Sequence, residues 1–117
     1  MANLNKHVSL KKQQDFSRVF SNNIFFQHPP FTLLIGLEAK ETTRLGIVIT
    51  KKNHSLATDR NLIKRISKEA FRASQLSPNK DIILLVGSFN VQEMRTNLFS
   101  TIYNIFEKIN TELNSNE

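Results

Sequence analysis

The chain has 117 residues, with 16 Lys and Arg against 10 Asp and Glu, nine Phe and no Cys. That length suits one domain spanning residues 1–117 around one core, with frayed ends expected at 1–8 and 114–117. The missing cysteines exclude disulfides, a thiolate nucleophile and a Cys-based zinc site, and they fit a reducing compartment. A pI near 9.9 directs attention to a polyanionic partner, either nucleic acid or an anionic membrane surface. No apolar run has signal-peptide length or approaches the roughly 20 residues that span a bilayer, so a soluble, cytoplasmic protein is expected.

In chain order, Ser9 is placed to cap a helix over Leu10 to Ser21, in which Phe16, Val19 and Phe20 recur at helical spacing. Core packing is the usual fate of such a stripe. Asn22, Asn23 and the pair Pro29-Pro30 predict a loop, although Ile24-Phe25-Phe26 could form a short strand inside it. Phe31 to Leu37 and Leu45 to Thr50 read as two strands, and the short polar link between them predicts an antiparallel hairpin. A basic helix follows, ended by Ser77-Pro78-Asn79. Ile82 to Val86 is a run of apolar residues that fits a strand buried on both faces. Met94, Leu98, Ile102, Ile105, Phe106, Ile109 and Leu113 mark a long C-terminal amphipathic helix, with Asn90 as its cap. The fold class expected is α+β, a two-layer sandwich of helices on a small mixed sheet.

Charge is concentrated between these strands. From Lys51 to Arg72 there are seven Lys and Arg against Asp59 and Glu69, a net +5 out of the chain's +6. At the α-helical pitch Arg60, Asn61, Lys64, Arg65, Lys68 and Arg72 fall within an arc of about 140°. Leu62, Ile63, Ile66, Ala70 and Ala73 take the opposite side, while Phe71 falls over the basic one. Ser55 or Thr58 is expected to cap this helix, and Asp59 in its first turn suits the dipole. A solvated face normally mixes signs, because acid–base pairs four residues apart stabilise a helix by a few tenths of a kcal/mol. Here Arg60/Lys64, Lys64/Lys68 and Lys68/Arg72 repel instead, which points to an anionic partner. Lys51 and Lys52, directly before the helix, join the same patch.

Protein-based catalysis has little support. His7, His28 and His54 are scattered in loop-like sequence, no carboxylates are spaced for acid–base work, and three glycines make no phosphate loop. Aromatics beside a cationic surface can instead stack on unpaired bases. Phe16 and Phe20 are the residues placed to do so if their helix leaves a face uncovered.

Taken together, these residues resemble the protein subunit of bacterial ribonuclease P. Asp15-Phe16-Ser17-Arg18-Val19-Phe20 matches its Asp-Phe-x-x-x-Phe helix, and Arg44-Leu45-Gly46 through Lys51-Lys52 matches its second strand. Arg60-Asn61-Leu62-Ile63-Lys64-Arg65-Ile66-Ser67-Lys68-Glu69-Ala70-Phe71-Arg72 matches its Arg-Asn signature, with Leu62 and Lys68 standing where the family carries Arg. Asp81 before an apolar strand also fits, whereas Val86-Gly87-Ser88 lacks the basic residue that usually ends that strand.

The resemblance implies a left-handed β-α-β crossover around the basic helix. It also implies a protein cofactor of a catalytic RNA that uses Mg2+ to remove the 5′ leader of precursor tRNA. Lys51, Lys52, Arg60, Asn61, Lys64, Arg65, Lys68 and Arg72 would face the ribonuclease P RNA. Phe16, Phe20, Lys12 and Arg44 would belong to the cleft for the single-stranded leader. A monomer in a 1:1 ribonucleoprotein, with no membrane contact and no metal ligand of its own, is implied. Two rival readings are a DNA-binding regulator, which needs a partner helix directly before the basic one, and a nuclease acting alone.

Overall fold

The structure, a computed structural model, describes residues 8–114, so most of the expected N-terminal fraying and part of the C-terminal lie outside the described residues. The elements are β1 (Val8–Ser9), α1 (Gln13–Ser21), β2 (Asn23–His28), β3 (Phe31–Ala39), β4 (Arg44–Ile49), α2 (Ala57–Ala73), β5 (Lys80–Val86), α3 (Val91–Met94), a 3₁₀ turn (Arg95–Asn97) and α4 (Leu98–Asn114). Five strands form one mixed sheet in the order β1-β4-β5-β3-β2.

The centre of that sheet follows from the sequence of β5. Ile82, Ile83 and Leu84 are fully buried, and a strand apolar on both faces is stable only with neighbours and cover on both sides. β5 therefore lies between β3, which it meets antiparallel, and β4, which it meets in parallel. This overturns the hairpin expected of the strands at Phe31 and Leu45, which never pair with each other. The actual hairpin is β2–β3, closed at the cis Pro29-Pro30 bond. The segment Asn23–His28 thus takes the strand alternative and not the loop.

Alternation along the strands divides the core in two. Phe31, Leu33, Ile35, Leu45, Ile82, Leu84 and Val86 point to one face, where they meet Ile63, Ala70 and Phe71 of α2 and Ile102, Phe106 and Ile109 of α4. Leu34 and Ile83 point to the other face, under Leu10 and Val19 of the α1 region. Helices α2 and α4 cover the first face, while α1 covers only part of the second.

Three helix starts differ from expectation for local reasons. Ser9 does not cap α1, because Val8 and Ser9 pair with Arg44 and Leu45 as a short parallel strand, and the helix begins only at Gln13. Neither Ser55 nor Thr58 caps α2, whose N-cap is Leu56 without a side-chain bond. Asn90 does cap as expected, its Oδ1 accepting from Glu93 N–H at 3.1 Å, but the long helix is broken by the 3₁₀ turn before α4 begins.

Phe71 is a further correction: it is buried and packs edge-on against Phe106, with ring centroids 5.5 Å apart. The buried face of α2 runs through Ile63, Ser67, Ala70 and Phe71. Its centre is thus rotated toward Arg60 from the stripe that Leu62 and Ile66 suggest, and those two are only partly buried.

Candidate nucleic-acid interface

The rotation of α2 sorts its cations. Arg60 lies at the edge of the buried face and turns back on the preceding loop, its Nη1 donating to the carbonyls of His54 and Ser55, each at 2.9 Å. That loop is anchored from the other side as well, since His54 is buried, its Nε2 lies 2.9 Å from the Gly87 carbonyl oxygen and its ring packs edge-on to Phe89. Arg60 therefore satisfies two carbonyls of the loop that precedes α2, and it shapes the entry to that helix. Asn61, Lys64, Arg65 and Arg72 are exposed and Lys68 is half-buried. Arg65 makes a loose pair with Glu69 at 3.6 Å, with both side chains exposed, which contributes little to stability. Lys51 and Lys52 are exposed in the turn between β4 and α2.

Phe16 is where the aromatic helix meets this row. A notch at the free edge of β4 is lined by Ser9, Leu10, Phe16, Gly46, Lys64 and Lys68, among others. β1 pairs with β4 only at Arg44 and Leu45, so the edge is open from Gly46 onward. The approach of the ring requires a glycine: a Cβ on Gly46 would come within 2.6 Å of Phe16 Cε1. An apolar ring beside two ammonium groups is an arrangement that accepts a base and its phosphates together.

Phe20, one turn further along α1, is 48% exposed. Phe25, which the sequence reading left unassigned, is 60% exposed. It lies on the same sheet face, in the cross-strand row Gly46–Ile83–Leu34–Phe25. Beside it the row Val48–Leu85–Thr32–Gln27 is only partly buried or exposed. The uncovered part of this face is thus a ledge with three phenylalanines along α1 and β2. Phe25 escaped notice because three consecutive apolar residues do not tell which of them faces solvent.

Arg44 and Lys12 are placed differently from Phe16. Arg44 makes a bidentate pair with its cross-strand partner Asp81, Nε and Nη2 each donating at 2.7 Å, and reaches Asp15 of α1 at 3.5 Å. The hydrogen bond to Asp81 raises its pKa above the ordinary arginine value despite partial burial, so it stays charged across any working pH. Its guanidinium is engaged by the protein's own carboxylates and ties α1 to the sheet, and Arg44 also lines the groove that holds Lys12. Lys12 is exposed at the start of α1, in a groove with Lys11, Arg18, Lys40 and the Asp15–Arg44 pair, on another side of the helix from the notch.

The chain from residue 4 to residue 110 matches the family model described as Ribonuclease P. The chain belongs to the ribonuclease P protein family. It is 31% identical to the ribonuclease P protein component of Pseudoalteromonas translucida over 92% of this chain and 78% of that protein. With the protein component of Pseudoalteromonas atlantica it shares 35% identity over 89% and 88% of the two chains. The fold superposes on the RNase P protein from Thermotoga maritima with a TM-score of 0.69 at 26% identity, covering 86% of this chain and 96% of that one. In keeping with this family, the element before α2 is strand β4 and a turn, where a helix-turn-helix would need a helix. No described helix is long and apolar enough to cross a membrane.

Proposed function

We propose that this protein is the protein subunit of ribonuclease P, binding the catalytic RNA through α2 and the single-stranded 5′ leader of precursor tRNA along the ledge beside α1. The observation that carries this reading is the notch where Phe16 meets Lys64 and Lys68. There, groups suited to unpaired bases and groups suited to phosphates share one wall.

The roles divide by chemistry. Lys51, Lys52, Asn61, Lys64, Arg65, Lys68 and Arg72 contact the ribonuclease P RNA, releasing counterions from its backbone. Arg60 serves the same surface by holding the loop that starts α2. Phe16 and Phe20 stack on leader bases, with Phe25 continuing the platform. Lys12 attracts the leader backbone from the far side of α1, and Arg44 acts indirectly by fixing α1 to the sheet.

In this reading the reaction centre belongs to the RNA subunit. The described residues contain no group of three or more His, Cys, Asp or Glu suited to a metal. The protein's buried carboxylates Asp15 and Asp81 are engaged by Arg44. In the same reading the Mg2+ that phosphodiester hydrolysis needs is held by the RNA subunit, and the protein acts as a 1:1 cytoplasmic cofactor. Reconstitution with a bacterial ribonuclease P RNA at low magnesium tests the reading. Faster leader removal than with RNA alone is expected, and no gain would overturn it.

A further inference from the structure

A second groove opens where α2 meets the segment that precedes α4. It has a volume of about 480 Å³ and is lined by Thr58, Asp59, Asn61, Leu62, Arg65, Gln92 and Arg95. Arg95 belongs to the 3₁₀ turn that interrupts the C-terminal helix, outside the basic segment Lys51–Arg72. Among the described residues it is exposed and makes no ion pair with any carboxylate. The break between α3 and α4 thus brings a cation distant in sequence to a wall shared with Arg65.

We propose that this groove holds a phosphodiester segment of the RNA partner, with Arg65 and Arg95 as its two charged anchors. The inference rests on the RNA-binding reading of α2 and extends that surface around the helix to the α3–α4 junction. Two guanidiniums present planar donor forks suited to the non-bridging oxygens of a phosphate. The amides of Asn61 and Gln92 add neutral donors and acceptors that suit ribose hydroxyls. Leu62, partly buried against the main core, gives the groove an apolar floor on which a sugar can rest. Arg65 is available because its pair with Glu69 is long and solvated. Asp59 is the one acidic group in the lining, and it repels phosphate, so the anion sits toward the arginine end.

The sign of that last effect gives the test. Binding of the full-length protein to a bacterial ribonuclease P RNA is measured across a salt series for the wild type, Arg95→Ala, Arg95→Lys, Asp59→Asn and Lys108→Ala. Lys108 is exposed on α4 and lies outside the groove lining, so its variant controls for loss of any one charge.

Arg95→Ala is expected to weaken binding about tenfold and to lower the slope of log K against log salt by about 0.7–0.9. Arg95→Lys should keep the slope and lose part of the affinity. Asp59→Asn should bind more tightly than wild type, and Lys108→Ala should match it. If Arg95→Ala keeps wild-type affinity and slope, or only matches Lys108→Ala, the groove is not a phosphate site even though α2 binds RNA. Asp59→Asn binding no better than wild type would also count against it. Failure of the wild type to bind would overturn the reading beneath the proposal, and the proposal with it.

Discussion

At the scale of single residues, the ion cluster Asp15–Arg44–Asp81 joins three elements, and its geometry ranks its members. Asp81 accepts two 2.7 Å bonds from Arg44, while Asp15 is reached only at 3.5 Å. Asp81→Ala leaves a half-buried guanidinium with one distant partner and should lower stability by about 2–4 kcal/mol, against a smaller loss for Asp15→Ala, as read by urea denaturation. Equal losses would contradict this ranking. Ser67 presents the opposite case. Among the described residues its Oγ, buried in α2, has no hydrogen-bond partner, so Ser67→Ala removes an unsatisfied group and improves helix propensity. A gain of about 1 kcal/mol is expected, and a lowered melting temperature would contradict it. At Gly46 the nearest obstacle to a methyl group is the far end of the Phe16 ring. The ring can swing aside, so Gly46→Ala should cost little stability yet weaken leader-dependent substrate affinity several-fold, a split visible by comparing precursor with mature tRNA.

At the scale of elements, the helices were largely legible and the strand order was not. Helical spacing located α1, α2 and α4 because i, i+3, i+4 recurrence is a local signal. Pairing is a long-range outcome: β3 and β4 are separated only by a short polar link, yet β5 from beyond α2 enters between them. Nothing between Leu37 and Leu45 announces that insertion; only the apolar density of Ile82 to Val86 hints at a central strand. On α2 the composition identified the cationic face, but not its angular limits. Phe71, which falls over the basic row by angle, is buried in the core, and Arg60 of that row bonds the preceding loop. The outer row that remains leads to a prediction. Lys64→Glu replaces two like-charge pairs, with Arg60 and Lys68, by opposite ones, so the folded helix should gain a few tenths of a kcal/mol. RNA binding should fall at the same time. A variant that lost both stability and affinity would show that Lys64 serves the fold and not the interface.

At the scale of the whole molecule, one asymmetry organises the chain: nearly all net positive charge lies on one segment, and the fold presents it beside the incompletely covered sheet face. The cationic row and the aromatic stripe are each visible in the sequence but their junction is not, since the notch between Phe16 and Lys64 exists only once β4 carries an open edge between α1 and α2. Arg95 is illegible in the sequence for the same reason, as it becomes part of a surface only through contacts distant in sequence. The central claim is that phosphates of an RNA partner neutralise the outer row of α2. It is tested most directly by the salt dependence of ribonuclease P RNA binding for wild type and a Lys64→Gln/Arg65→Gln/Lys68→Gln protein. If each side chain neutralises one phosphate, the slope of log K against log salt should fall by about 2–3 in the variant. An unchanged slope with a folded variant would contradict the account.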